Sequence, residues 1–119
     1  MSSNTFKTPP EIVTRPLVRQ QMVKEFRIFE YEAQKGKALG FEVMASSYVT
    51  GIEDFLKKDM KMAYMLMTIA ISKHKKTKDI ERAKRKLADI KADMSAYEVA
   101  SAEEMLKEHR TIKIHNGIA

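Results

Sequence analysis

Nine cations crowd into residues 73–91: Lys73, Lys75, Lys76, Lys78, Arg82, Lys84, Arg85, Lys86 and Lys91, against Asp79, Glu81 and Asp89. The chain holds 22 Lys and Arg and 16 Asp and Glu, so thirteen of each sign remain elsewhere and this segment carries the whole net charge of +6. Cations packed this densely can neutralise phosphates through counterion release, or meet an acidic protein surface. The candidate patch is Lys73, Lys75, Lys76, Lys78, Arg82, Arg85 and Lys86. At 100° per residue, Lys78, Arg82, Arg85 and Lys86 are expected opposite the apolar side of their helix, facing water. Three features weaken a specific reading. Glu81 and Arg85, and Arg85 and Asp89, form i,i+4 pairs. No aromatic residue lies on the face to stack a base. No helix-turn-helix or RNA-binding signature is present. A solvated charged face is the plain alternative.

The other chemistry-bearing residues do not converge. His109 and His115 are six apart, and His74 stands among lysines, so no ligand spacing for zinc or iron emerges. Glu104 and Glu108 share a helical face but lack the Glu-x-x-His partner of a di-iron bundle. The pairs Glu53-Asp54 and Glu103-Glu104 are sequence neighbours and splay apart on a helix, which does not suit paired acid and base work. There is no phosphate loop, no nucleophile elbow and no cysteine, which excludes thiolate catalysis and disulfide staples. No catalytic, cofactor or metal residue is assigned. Met60, Met62, Met65 and Met67 could form an adaptable binding groove, but Ala63, Leu66, Ile69 and Ala70 between them favour core filling.

The elements that carry these residues are helical. With 119 residues, 44% hydrophobic and 32% charged, four glycines and three prolines, the chain suits one domain built from long regular elements. Thr8-Pro9-Pro10-Glu11 reads as a helix start, and Pro16 is expected to interrupt it, with a new helix from about Arg15 to Leu17. Val18, Met22, Phe26, Phe29 and Ala33 then mark one buried face. Gly36 and Gly40 either break the helix or let another backbone approach; the break is preferred. A second helix is expected over 41–58, with the methionine-rich 59–72 either following or simply continuing it as the most buried segment.

Thr77 can cap the next helix, whose seam Ile80, Ala83, Leu87, Ile90, Met94 and Tyr97 is heptad-like and serves helix packing or oligomerisation. Ser101-Ala102-Glu103-Glu104 fits a capping box for a last helix or a bend, and 111–119 reads as an extended tail. The expectation is all-α: a small helical bundle of three to five helices in a single domain 1–119, with an N-terminal arm over 1–14 and a C-terminal tail over 111–119.

The longest uncharged run, Met62–Ser72, is too short for a membrane span, which needs about 20 residues. The N-terminus has no secretory signal pattern. A cysteine-free chain suits the cytoplasm or another reducing compartment; the cation excess of the first residues also admits the mitochondrial matrix side. The functional expectation is a non-enzymatic interaction protein, a self-associating helical module or small subunit of a larger assembly. Alternatives are a small basic nucleic-acid-binding accessory protein acting through 73–91, and an inhibitor docking on an acidic enzyme surface.

Overall fold

The computed structural model describes residues 10–108, with side chains from 16 to 108, and in this range the chain is five helices. They are α1 (Pro10–Gln34), α2 (Ala38–Thr50), α3 (Met60–Lys73), α4 (Thr77–Ala92) and α5 (Ala96–Glu108). Helix α3 is the axis: it packs on α2, α4 and α5, while α1 packs mainly on α2. Pro10–Thr14 of the expected arm already belongs to α1; Thr8, the tail 111–119, His109 and His115 lie outside the described residues.

Helix α1 runs through Pro16 without a break, contrary to the sequence expectation. Pro16 is exposed in the second turn, where water can satisfy the carbonyl that the ring leaves unpaired. Phe26 and Ala33 of the expected face are buried and Met22 and Phe29 half-buried, whereas Val18 is exposed.

The two glycines divide the two roles foreseen for them. Gly36 ends α1 at φ +84°, with its N–H bonded to the Ala33 carbonyl (2.8 Å) and that of Lys37 to the Glu32 carbonyl (3.1 Å), a Schellman closure. Gly40 begins α2 against α1: a Cβ there would stand 2.5 Å from the Ala33 nitrogen and 2.7 Å from the Phe29 oxygen. Only hydrogen fits.

The helix expected over 41–58 stops at Thr50, so α2 and α3 are separate. The breaker is Gly51, at φ 75° and ψ 173°, a conformation that side-chain-bearing residues avoid. The loop that follows is pinned rather than loose. Ile52 and Leu56 exchange backbone hydrogen bonds of 2.8 Å each, and both side chains are buried. Phe55 meets Phe26 edge-on at 5.5 Å. Asp59 then donates its N–H to the Tyr48 carbonyl (2.9 Å), while its Oδ1 accepts from the Met62 N–H (3.0 Å) and caps α3. Helices α2 and α3 share the deepest burial, with six buried residues each; Met65 and Met67 are core, and Met60 and Met62 half-buried.

Helix α4 starts one residue earlier than a Thr77 cap would place it: Thr77 is its first residue, and Lys76 holds the N-cap position and makes no side-chain bond. Its seam is also shorter than the pattern implied. Ala83 and Ile90 are buried, and Ile80, Leu87 and Met94 half-buried, but the helix ends at Ala92 and Tyr97 is 80% exposed on α5. The break comes from a capping box at Ser95, six residues before the one expected at Ser101. Ser95 Oγ accepts from the Glu98 N–H (3.1 Å), and Glu98 Oε1 accepts from the Ser95 N–H (2.9 Å). Helix α5 then returns along α3, where Tyr64 donates its hydroxyl to Glu103 Oε2 at 2.6 Å.

Candidate functional site

Glu42 is the only charged residue in the thirteen of α2. A helix this apolar must be covered, so its one carboxylate is buried with it, at 1% exposure. An isolated buried carboxylate would cost several kcal/mol, and three side chains from beyond α2 answer it. The Arg82 guanidinium forks onto it, Nε to Oε2 at 2.8 Å and Nη2 to Oε1 at 2.7 Å. Lys86 Nζ lies 2.8 Å from Oε2, and His74 Nε2 lies 2.8 Å from Oε1. Because the carboxylate only accepts, Nε2 is the ring nitrogen that carries hydrogen in this contact. Arg82 extends its third nitrogen, Nη1, to Asp79 Oδ1 at 2.7 Å.

The Arg82 bonds, aided by Lys86 and His74, hold the Glu42 carboxyl down at about 2 against the opposing effect of burial. Glu42 and then Asp79 in turn keep Arg82 protonated at any ordinary pH. With both oxygens occupied twice, Glu42 has no lone pair positioned to take a proton from a substrate. Chemically the cluster is a clamp: it ties the end of α3 and the first half of α4 to α2. Arg82, Lys86, Glu42 and Asp79 sum to zero charge.

This changes the basic patch. Lys73, Lys75, Lys76, Lys78 and Arg85 are exposed as expected, but Arg82 and Lys86 turn inward and spend their charge on Glu42. The helical geometry explains the correction: from the centre of the Ile80–Ile90 seam Lys86 lies only about 80° away and Arg82 about 120°, so they flank the buried face instead of opposing it. The seam residues Ala83, Leu87 and Ile90 pack within the fold. Reasoning from sequence missed Glu42 and the His74 contact altogether. The signal for Glu42 was a lone acid among Phe41, Val43, Met44 and Ala45; nothing in the sequence marked His74.

A second feature is surface. The side of α1 turned away from the bundle carries Leu17, Ile28 and Tyr31, each more than half exposed. Ile28 also edges a groove with Val23 and Phe55, rimmed by Arg19, Lys24 and Arg27. Arg27 lies over the Phe55 ring at 5.0 Å, and Arg19 Nε donates to the Glu53 carbonyl at 2.7 Å.

Among the described residues no cluster of three or more His, Asp or Glu is disposed to hold a metal, and no helix is long and apolar enough to cross a membrane. Compared with known proteins, the chain matches no family model, no curated protein and no solved structure.

Proposed function

We propose that this protein is a non-enzymatic interaction module that self-associates through the outer face of α1. The observation that carries the reading is the exposed row Leu17, Ile28 and Tyr31. With Gln21 and Lys24 it follows 17, 21, 24, 28, 31, the alternating four- and three-residue steps of a helix-pairing seam. A stripe on a helix that packs mainly against one neighbour suits a partner helix better than open water.

Charge on the flanks selects a second copy in parallel orientation. Glu25 and Glu32 lie on one side of the row, Gln20 and Arg27 on the other. Side by side and parallel, Arg27 of one copy meets Glu32 of the next, and Gln20 meets Glu25; antiparallel pairing would set Glu25 against Glu25. Lys24 within the row keeps the association modest, at micromolar strength or weaker.

Sedimentation equilibrium between 1 and 200 µM tests the reading. The expected result is a concentration-dependent rise from monomer mass, abolished by Ile28→Glu with helix content unchanged. A wild-type chain that stays monomeric over the whole range would refute it, as would an assembly indifferent to Ile28→Glu.

A further inference from the structure

We propose that the end of the bundle where α1 turns into α2 and α3 passes to α4 is a docking surface for the phosphate backbone of nucleic acid. Sequence shows only half of this surface, because its two halves are nearly forty residues apart. Lys35 and Lys37 flank Gly36 in the first turn; Lys73, Lys75, Lys76 and Lys78 follow in the second, and all six are exposed. The up-and-down order of the first four helices brings these segments to the same end. Their contact is direct: Lys73 Nζ stands 4.0 Å from where a Gly36 Cβ would be, and 5.7 Å from the Phe41 ring at the start of α2.

Three of the acids nearby are already engaged, and Glu81, a turn beyond Lys78 on α4, is exposed. Glu32 pairs with Lys37 at 3.3 Å, Asp79 with Arg82, and Glu42 is saturated by the clamp. Lys35, Lys73, Lys75, Lys76 and Lys78 are therefore left without an acidic partner among the described residues. The clamp thus has a consequence at the surface: by taking Arg82 and Lys86 for Glu42, it leaves the lysines of the adjoining end uncompensated. Two helix starts add to the field, since α2 and α4 both begin here, each with a lysine at the N-cap position and no side chain accepting from its first turn.

The chemistry favours a nucleic acid over a lipid surface. Flexible lysine point charges suit a dense, regular array of phosphates and demand no fixed geometry. Tyr31 is the exposed aromatic beside them, with Lys35 Nζ 4.7 Å from its ring centroid, so a base can stack at the edge of the patch. Membrane insertion would need a cluster of exposed aliphatics, and Leu39 is the exposed aliphatic at the start of α2. The lysines of the site are separate from the outer row of α1, which shares only Tyr31 with it, and their phosphate contacts stand whether or not that row self-associates.

The test is fluorescence anisotropy with a labelled 20-base-pair duplex and a labelled single-stranded RNA, from 50 to 200 mM salt, using the full chain. Five phosphate contacts give a slope of about −4.5 in log K against log salt on duplex, a loss of roughly 500-fold over that range. The variant Lys35→Gln/Lys75→Gln/Lys76→Gln/Lys78→Gln leaves the clamp untouched and is expected to lose at least tenfold in affinity at 50 mM, with the slope falling toward −1. A matched control, Lys57→Gln/Lys58→Gln/Lys84→Gln/Lys107→Gln, removes equal charge elsewhere and should retain binding and slope. Equal weakening in both variants would overturn the proposal, as would absence of binding to either nucleic acid at 50 mM salt. Phosphatidylserine vesicles captured in preference to both nucleic acids would overturn it in favour of a membrane surface.

Discussion

Replacing Glu42 by glutamine keeps the shape of the side chain and deletes only its charge, which isolates what the clamp contributes. The magnitude follows from the geometry. Four donors on two oxygens bring the carboxyl from its ordinary 4.5 to about 2, and that difference stabilises the fold by about 3 kcal/mol at neutral pH. Removing one member of a buried ion pair costs about 3–5 kcal/mol by an independent route. The lower end applies here, because Arg82 and Lys86 keep 36% and 43% of their side chains in contact with water and can turn outward. A loss of about 3 kcal/mol is a large share of the ~5–15 kcal/mol available to a domain, and should lower Tm by roughly 10 °C. The sign with pH is fixed. A carboxyl whose folded pKa is depressed contributes in full above about 4.5 and loses its contribution as pH falls toward about 2. Urea unfolding of both chains should therefore show a gap of about 3 kcal/mol at pH 7 that narrows to about 1.4 kcal/mol at pH 3. A gap below 1 kcal/mol at pH 7, or one that does not change with pH, would refute the account of Glu42 as the charge that fastens α4.

Two further outcomes follow from the same contacts. Gly40→Ala places a methyl 2.5 Å from the Ala33 nitrogen and must push α1 off α2, costing at least about 2 kcal/mol in urea titration; Gly36→Ala meets only Lys73 Nζ at 4.0 Å, an ordinary contact, and adds only the left-handed strain of about 1 kcal/mol. Equal costs would mean that α1 and α2 do not approach as closely as described. Burial first, and then the Glu103 carboxylate, push the Tyr64 hydroxyl up to about 12, so the stability it supplies persists below pH 10 and is lost as pH rises through 12. Absorbance titration at 295 nm should show its late ionisation move partly back in Glu103→Gln, and Tyr64→Phe should cost about 1.5 kcal/mol; an unmoved titration would remove the α3–α5 bond.

Periodicity made the helices legible and missed several of their ends. The inner faces of α1 and α4 and the burial of α3 followed from apolar spacing, because burial of a stripe is the dominant energy a helix can gain from its neighbours. The ends are decided by single residues whose roles depend on context. Gly51 and Ser95 each compete with a good helical pattern around them and win by backbone conformation and capping. Pro16, a stronger local breaker, loses because it falls early in an exposed helix. The site was half legible. Arg82 and Lys86 were read as cations, but their direction depends on a carboxylate forty residues away that periodicity alone treats as an anomaly. The lysine-rich end was half legible for the same reason: residues 73–78 announce themselves, and Lys35 and Lys37 join them only once the chain has folded back.

Helix α4 divides its charge between two tasks. Its apolar stripe alone would be a narrow contact, with Ala83 and Ile90 buried and Leu87 half-buried. The fork of Arg82 on Glu42 adds direction that apolar contacts lack, since a bidentate guanidinium accepts only one rotation of the helix about its axis. Slipping α4 by one residue would turn Ala83 out and bring a lysine in, at the cost of leaving Glu42 unanswered. The clamp therefore sets the register of α4, and the register determines that Lys75, Lys76 and Lys78 emerge beside Lys35 and Lys37 instead of along the side of the bundle. Glu42→Gln should thus weaken binding of the labelled duplex even where the fold survives, because the lysines would remain while their shared geometry would not. A Glu42→Gln chain that is measurably loosened in α4 by hydrogen exchange yet binds duplex with unchanged affinity and salt slope would separate clamp from surface and defeat this link.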